Sequence, residues 1–179
     1  MRKLLYNTIR QALLGILDEN NQSVIRHVDL WNQQTVLPEQ EQPFDTPAVF
    51  IEFHQIQWMP LSQALREASV QVALHVVTDS RSGSWSDAIE VFALLDTVNK
   101  QLHCLSAASS DGSYAIDSLT LVQSDTDHTF AELMDHLKTY SCHVTDASAH
   151  ARNSHPPSSL SIHISTPIST PISDSSPQP

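Results

Sequence analysis

The stretch from Glu67 to Leu105 constrains the fold most, because it joins a long strand pattern to a long helix pattern. In its first part, β-branched and leucine side chains occupy alternate positions, namely Val70, Val72, Leu74 and Val76. This alternation predicts a strand that buries one face, and Ala73 and Val77 indicate that the other face is partly covered. In its second part, apolar residues recur at helical spacing, namely Val91, Leu95, Val98, Leu102 and Leu105, with Ala88 and Phe92 widening the stripe. Such a strand and a one-sided helix can bury each other's apolar surfaces.

The rest of the chain supplies one more helix pattern and several strand patterns. The apolar stripe from Leu5 to Leu17 predicts a first helix over residues 2–18, which a polar loop ends. Alternation predicts further strands over residues 24–31, 48–58, 115–122 and 134–144. The fold class is therefore α+β, with a mixed or antiparallel sheet of about four to five strands, two helices packed on one face and the order α-β-β-β-α-β-β.

Two segments follow neither period. The connection from Gln33 to Pro47 is rich in proline and glutamine, and a connection this long is either a contact arm or a flexible surface insertion. From Ser148 onward the chain is rich in serine and proline and contains a short Ser-Thr-Pro-Ile repeat. Repeated prolines disfavour helices and central strands, so we expect a disordered or extended tail over 148–179, behind one α+β domain over 1–147.

The charge balance excludes some classes of function. The chain holds nine Lys plus Arg against 20 Asp plus Glu, for a formal net charge of -11. A protein this acidic lacks the counterion-release contribution that drives nucleic-acid binding, so we expect no sequence-specific DNA or RNA binding. The sequence shows no apolar run of the roughly 20 residues that span a membrane, and polar residues interrupt the apolar part of the first helix, unlike a signal peptide. These features predict a protein that is made in a cytoplasm and does not bind membranes.

Catalytic fingerprints are absent from the sequence. Only three glycines are present, there is no GxSxG or HExxH pattern, and Cys104 and Cys142 have no metal-ligand spacing. One alternative is a small metal-dependent hydrolase, because His54, His75 and Glu52 fall on neighbouring predicted strands and such a set can bind zinc. The ten histidines are scattered, however, so we interpret these three as ordinary sheet-surface residues and predict no catalytic residues, metal or cofactor.

Several other residues have two interpretations. Asp125, Asp127 and His128 lie in an acid-rich break between predicted strands, which we interpret as a solvated loop rather than as a catalytic site. The tryptophans at positions 31, 58 and 85 are either packing residues or interface residues, since tryptophan is favoured at interface hot spots.

The motifs in this order resemble those of the tail-completion or tail-terminator proteins of long-tailed bacteriophages. The resemblance covers about residues 2–145 and rests on the first helix, on Thr46-Pro-Ala-Val-Phe-Ile-Glu-Phe53, and on Val70-Gln-Val-Ala-Leu-His-Val-Val-Thr78 followed by the helix that begins Ser86-Asp-Ala-Ile-Glu-Val. The late Asp125-Thr-Asp-His128 segment before a final strand is also similar. The chain departs from the family pattern in its Gln33–Pro47 connection and its tail.

This resemblance implies a structural virion protein of the tail or neck. Such a protein forms a ring, commonly a hexamer, that caps the tail tube, joins it to the head–tail connector protein and lets DNA pass without sequence-specific binding. The protein would be made in the cytoplasm of a bacterial host. We expect interface residues in the connection, at tryptophans and at the acidic break, namely Trp31, Pro38, Glu39, Glu41, Pro43, Phe44, Trp58, Asp125 and Asp127. One alternative is a head–tail connector, stopper or baseplate component of the same fold. The others are the metal-dependent hydrolase above and a regulatory or adaptor module whose proline-rich tail is its ligand segment.

Overall fold

The computed structural model describes residues 1–32, 44–79, 85–127 and 133–149, with residues 85–88 described by their backbone alone. Within these ranges the chain forms two helices, α1 (Arg2–Leu14) and α2 (Trp85–Leu102). The same ranges contain eight strands: β1 (His27–Leu30), β2 (Ala48–Phe53), β3 (Gln57–Pro60), β4 (Arg66–Asp79), β5 (Ala107–Ala108), β6 (Tyr114–Ile116), β7 (Thr120–Asp127) and β8 (Leu133–Asp146). None of the helices described is long and apolar enough to cross a membrane.

All the described strands belong to one curled sheet in the order β1-β2-β4-β8-β6-β5, with β3 added to β4 and β7 added to β8. The β1–β2 pair is parallel and the other pairs are antiparallel, so the sheet is mixed. The prediction of an α+β fold with a mixed sheet is confirmed. The predicted number of strands is wrong, because eight strands are present in the described part of the chain.

The sheet is built around the antiparallel ladder between β4 and β8. The two strands pair along their whole length, from Arg66 opposite Asp146 to Asp79 opposite Leu133. Each is flanked on its other edge by two short strands: β2 and β3 on β4, and β6 and β7 on β8. Where the sequence predicts one strand over 48–58 and one over 115–122, the structure therefore has two strands in each case.

The two breaks have the same geometry. From Phe53 to Gln57 the chain moves on by four residues, while the paired residues on β4 move on by three. The same difference occurs from Ile116 to Thr120, where the paired residues on β8 move on by three. Each break therefore contains one extra residue. One extra residue in a strand bends it and increases its twist. Both breaks lie level with the Val70–Cys142 pair of the ladder, so the sheet bends along one line. The strands at the two ends of the sheet, β1 and β5, both contact α1.

The main core lies between the sheet and the helices. Every second residue of β4 from Val70 to Val76 is buried on this side. Three residues from each helix are buried there as well: Leu5, Ile9 and Leu13 of α1, and Leu95, Val98 and Leu102 of α2. A smaller apolar cluster of Ala48, Phe50 and Val77 lies on the opposite face, which we call the outer face. The predicted partial covering of that face is confirmed, because Ala73 and Val77 are buried.

Some predicted boundaries and side-chain environments are wrong. The first helix ends at Leu14 instead of residue 18, because Gly15 caps it and the Asp18 carboxylate accepts hydrogen bonds from Asn20 and Gln22 in a turn. The strand predicted over 24–31 is limited to β1. Phe92 does not widen the buried stripe of α2, since its side chain is 61 % exposed. The predicted tail lies, from residue 150 on, outside the described residues, and its boundary with the domain stays a prediction.

Substitutions on the two sides of α2 test this packing. Leu95→Ala removes a side chain that is buried against the sheet and should lower the free energy of unfolding by about 2–5 kcal/mol. Phe92→Ala is the control and should change it by less than about 0.5 kcal/mol, because surface substitutions rarely do more. Urea unfolding followed by circular dichroism measures both, and equal losses would contradict this orientation of the helix.

Candidate functional site

The most distinctive polar arrangement is on the outer face, where an imidazole lies between two carboxylates. His75 stands on β4, Glu52 on the neighbouring β2 and Asp135 on β8. The Nδ1 atom of His75 is 2.7 Å from Oδ2 of Asp135, and its Nε2 atom is 3.2 Å from Oε2 of Glu52. Three strands that are distant in sequence thus bring one hydrogen-bonded chain of groups together. We call Glu52, His75 and Asp135 the outer-face triad.

Aromatic rings cover the triad. The indole of Trp31 stacks on the His75 ring with 3.7 Å between centroids and 3° between planes. Phe44 packs edge-on against Phe50, with 4.9 Å between the two ring centroids. Phe50 in turn lies opposite His75 in the pairing of β2 with β4. Trp31 follows β1, and Phe44 begins the next described segment. Residues 33–43 are the part of the predicted Gln33–Pro47 connection that lies outside the described residues, and we call this part the Gln33–Pro43 connection. Both of its flanks are therefore anchored on the outer face beside the triad.

Burial and charge set the protonation of the triad. His75 and Asp135 are only 8 % and 5 % exposed, whereas the Glu52 side chain remains 42 % exposed. Burial lowers the pKa of His75, but hydrogen bonds and attraction from Asp135, and then from Glu52, outweigh it and raise the pKa above its usual value. The positively charged imidazolium can donate to both carboxylates at once. In the described part of the molecule, the second oxygen of Asp135, Oδ1, is buried without a hydrogen-bond partner.

This geometry favours a structural role over catalysis. Both ring nitrogens of His75 face carboxylates, so the ring activates no hydroxyl or thiol among the described residues. The same engagement leaves the ring without a lone pair for a metal while it is protonated. His54 lies 3.9 Å from Glu52, yet the described residues contain no group of three His, Cys, Asp or Glu arranged to hold a metal ion. His75 also lines none of four surface cavities, which measure about 310 to 420 Å³.

The structure separates the other predicted site residues. Trp58 lies at the far end of the ladder, where the Arg66 guanidinium sits 4.7 Å from its ring centroid. Asp125 and Asp127 belong to strand β7, so the prediction of a loop there is wrong for both residues. This segment is extended because it pairs with β8. Both carboxylates therefore stand on one strand, where they are exposed. The remaining predicted interface residues, namely Pro38, Glu39, Glu41 and Pro43, lie outside the described residues, as does His128.

Sequence reasoning identified His75 and Glu52 but missed Asp135 and a second buried carboxylate, Asp146. Asp146 accepts hydrogen bonds from Nε of Arg66 at 2.7 Å and from the Ser148 amide at 2.8 Å. Burial raises the pKa of Asp146, but the bonds to Ser148 and Arg66 outweigh it, so the pKa lies below its usual value. The sequence does show these two acidic residues, near the two ends of the strand predicted over residues 134–144. Their partners lie on the neighbouring strand β4, and no local sequence pattern identifies which strand is the neighbour.

Comparison with known proteins supports the fold. No family model matches the chain, and no curated protein matches it. A solved structure that does match is a chain of the virion of a native gene transfer agent (GTA) particle, with a TM-score of 0.51 and 12 % sequence identity. The match covers 80 % of this chain and 96 % of that chain. At this identity the likeness establishes a shared fold.

A matched pair of amide substitutions tests the triad. Asp135→Asn removes the charge that holds a buried imidazolium, and we expect the free energy of unfolding to fall by about 1–3 kcal/mol. Glu52→Gln makes the same chemical change at a half-exposed position and should cost less than about 1 kcal/mol. Urea unfolding at pH 6 measures both, and a larger loss from Glu52→Gln would contradict the assigned burial.

The pH dependence of stability gives a separate test. Because the pKa of His75 is raised on folding, its contribution to stability is fully present below the unfolded value of about 6.5. That contribution is lost as the pH rises through the raised folded value. Between pH 6 and pH 9 we therefore expect the wild type to lose more stability than His75→Gln. Parallel curves for the two proteins, from urea unfolding at each pH, would rule out this linkage.

Proposed function

We propose that this chain is a structural subunit of a phage-like particle, which assembles into a ring that caps the tail tube and joins it to the head–tail connector. The observation that carries the proposal is the shared fold with a chain of a gene transfer agent virion, which extends over nearly all of that chain. The motif resemblance to tail terminators, made from the sequence independently of this match, supports the same class of protein.

The outer-face triad supports a role in binding rather than in catalysis. Both ring nitrogens of His75 are held by carboxylates of the triad, and Trp31 stacks on the same ring next to the Gln33–Pro43 connection. A rigid sheet that anchors both flanks of a long connection is a suitable platform for interface residues. The proposed contacts of this connection, with Trp31 and Phe44 at its base, are with the tail-tube protein or with a neighbouring subunit.

The proposed ring, a hexamer by the family resemblance, has a central channel for DNA. The net charge of -11 supports transit without binding, because an acidic lumen repels phosphates and keeps DNA from adhering. The proposed location is the tail or neck of the particle. A connector, stopper or baseplate component of the same fold is the alternative within the virion, and a zinc-dependent hydrolase is the alternative outside it.

Assembly is the property that tests this proposal. We expect mass photometry and light scattering to show a concentration-dependent oligomer, and negative-stain images to show rings with a central hole. A subunit that presents two different surfaces closes such rings by head-to-tail contacts. A strict monomer at every concentration, with stoichiometric zinc by elemental analysis, would instead support the hydrolase.

A further inference from the structure

Charge is unevenly distributed between the first helix and the rest of the chain. Helix α1 holds three basic residues, Arg2, Lys3 and Arg10, and no acidic residue, so its charge is +3. The whole chain carries -11, and -11 minus +3 leaves -14 for the remainder. The helix is therefore cationic, whereas the rest of its own chain, and of every identical chain, is strongly acidic.

The three basic side chains of α1 are exposed to solvent. Helix α1 is buried in the core through Leu5, Ile9 and Leu13, whereas Lys3 and Arg10 lie on a different side and are exposed. Arg2 is exposed because it is the first residue of the helix. Lys3 and Arg10 are seven residues apart, which places them on one side of the helix about 10 Å apart along its axis. Arg2, Lys3 and Arg10 take part in no ion pair in the described part of the chain. Lys3 shares a cavity rim with Asp111, but that carboxylate already accepts hydrogen bonds from Ser109 and Ser113.

A complementary surface lies on β7. This strand pairs with β8 along one edge, and no strand pairs with its other edge among the residues that the structure describes. Asp125 and Asp127 are exposed on β7 at alternate positions, about 7 Å apart on the same side. Val122 is an exposed apolar side chain on the same strand. A free strand edge readily accepts a partner, and natural proteins often protect such an edge with a helix.

We propose that the basic side of α1, formed by Lys3 and Arg10, docks on the acidic β7 edge of a second copy of this chain. The two surfaces belong to different parts of one subunit, because α1 packs on α2, β1 and β5 while β7 is held by β8. The contact is therefore heterologous, and head-to-tail contacts of this kind close into rings. The inference rests on the proposed function, and it adds which two surfaces join the subunits.

Exposed ion pairs are individually weak and are screened by salt, so the contact should be salt-dependent. We expect self-association of the full chain to be stronger at 50 mM than at 500 mM NaCl, measured by sedimentation velocity.

Lys3→Glu with Arg10→Glu should weaken self-association about tenfold or more at low salt, and so should Asp125→Lys with Asp127→Lys. Lys100→Glu and Asp117→Lys are controls that reverse one charge each at exposed positions outside the two sets of substituted residues, and each should change association by less than about threefold. Circular dichroism melts confirm that each variant folds.

The decisive measurement is an equimolar mixture of the two double variants. Each variant alone sets like charges against each other, whereas the mixture offers opposite charges at every contact, so assembly should return to near the wild-type level. Wild-type assembly by the variants, or no rescue in the mixture, would overturn this contact and leave the proposed ring standing.

Binding of a short DNA duplex tests the other possible partner of the helix. If the duplex binds in a salt-sensitive way, and Lys3→Glu with Arg10→Glu abolishes that binding without changing self-association, the helix is assigned to nucleic acid instead. A wild type that stays monomeric would remove the proposed function itself.

Discussion

The antiparallel ladder between β4 and β8 is the feature on which the rest of the structure depends. Both strands are fourteen residues long and pair from end to end, so they form the only stretch of the described sheet in which two long strands support each other. Every other described strand except β1 and β5 pairs directly with one of them. Their inner faces supply the apolar surface that buries both helices. Removal of this surface from water is the main favourable contribution to folding.

The ladder also creates the outer-face triad. Buried ionisable groups are costly unless they are paired and hydrogen-bonded, and here the ladder register places Asp135 where it can offset the burial of His75. Trp31 then shields the pair from water by stacking on the ring. The result is a polar cluster that ties β2, β4 and β8 to the flanks of the Gln33–Pro43 connection. Its chemistry is that of a structural clasp, since each group already has a protein partner.

Charge and strand edges are unevenly distributed over the described part of the molecule. The end strands β1 and β5 both contact α1, whereas β7 keeps an edge without a strand partner in the described part of the sheet. Exposed basic residues lie on α1 and exposed carboxylates lie on β7, so the two surfaces of the proposed head-to-tail contact are opposite in charge. The fold that carries these surfaces is shared with a chain of a gene transfer agent virion.

The sequence by itself determined the features that depend on local periodicity. The alternation in β4, the stripe that buries Leu95, Val98 and Leu102, and the α+β class all follow from side chains that repeat every two or 3.6 residues. The tertiary structure alone decided strand register, the one-residue breaks that bend the sheet, and the exposure of Phe92. It also decided that Asp135 meets His75 across 60 residues of chain. These outcomes depend on which strands become neighbours, and that choice reflects the packing of the whole chain rather than any local pattern.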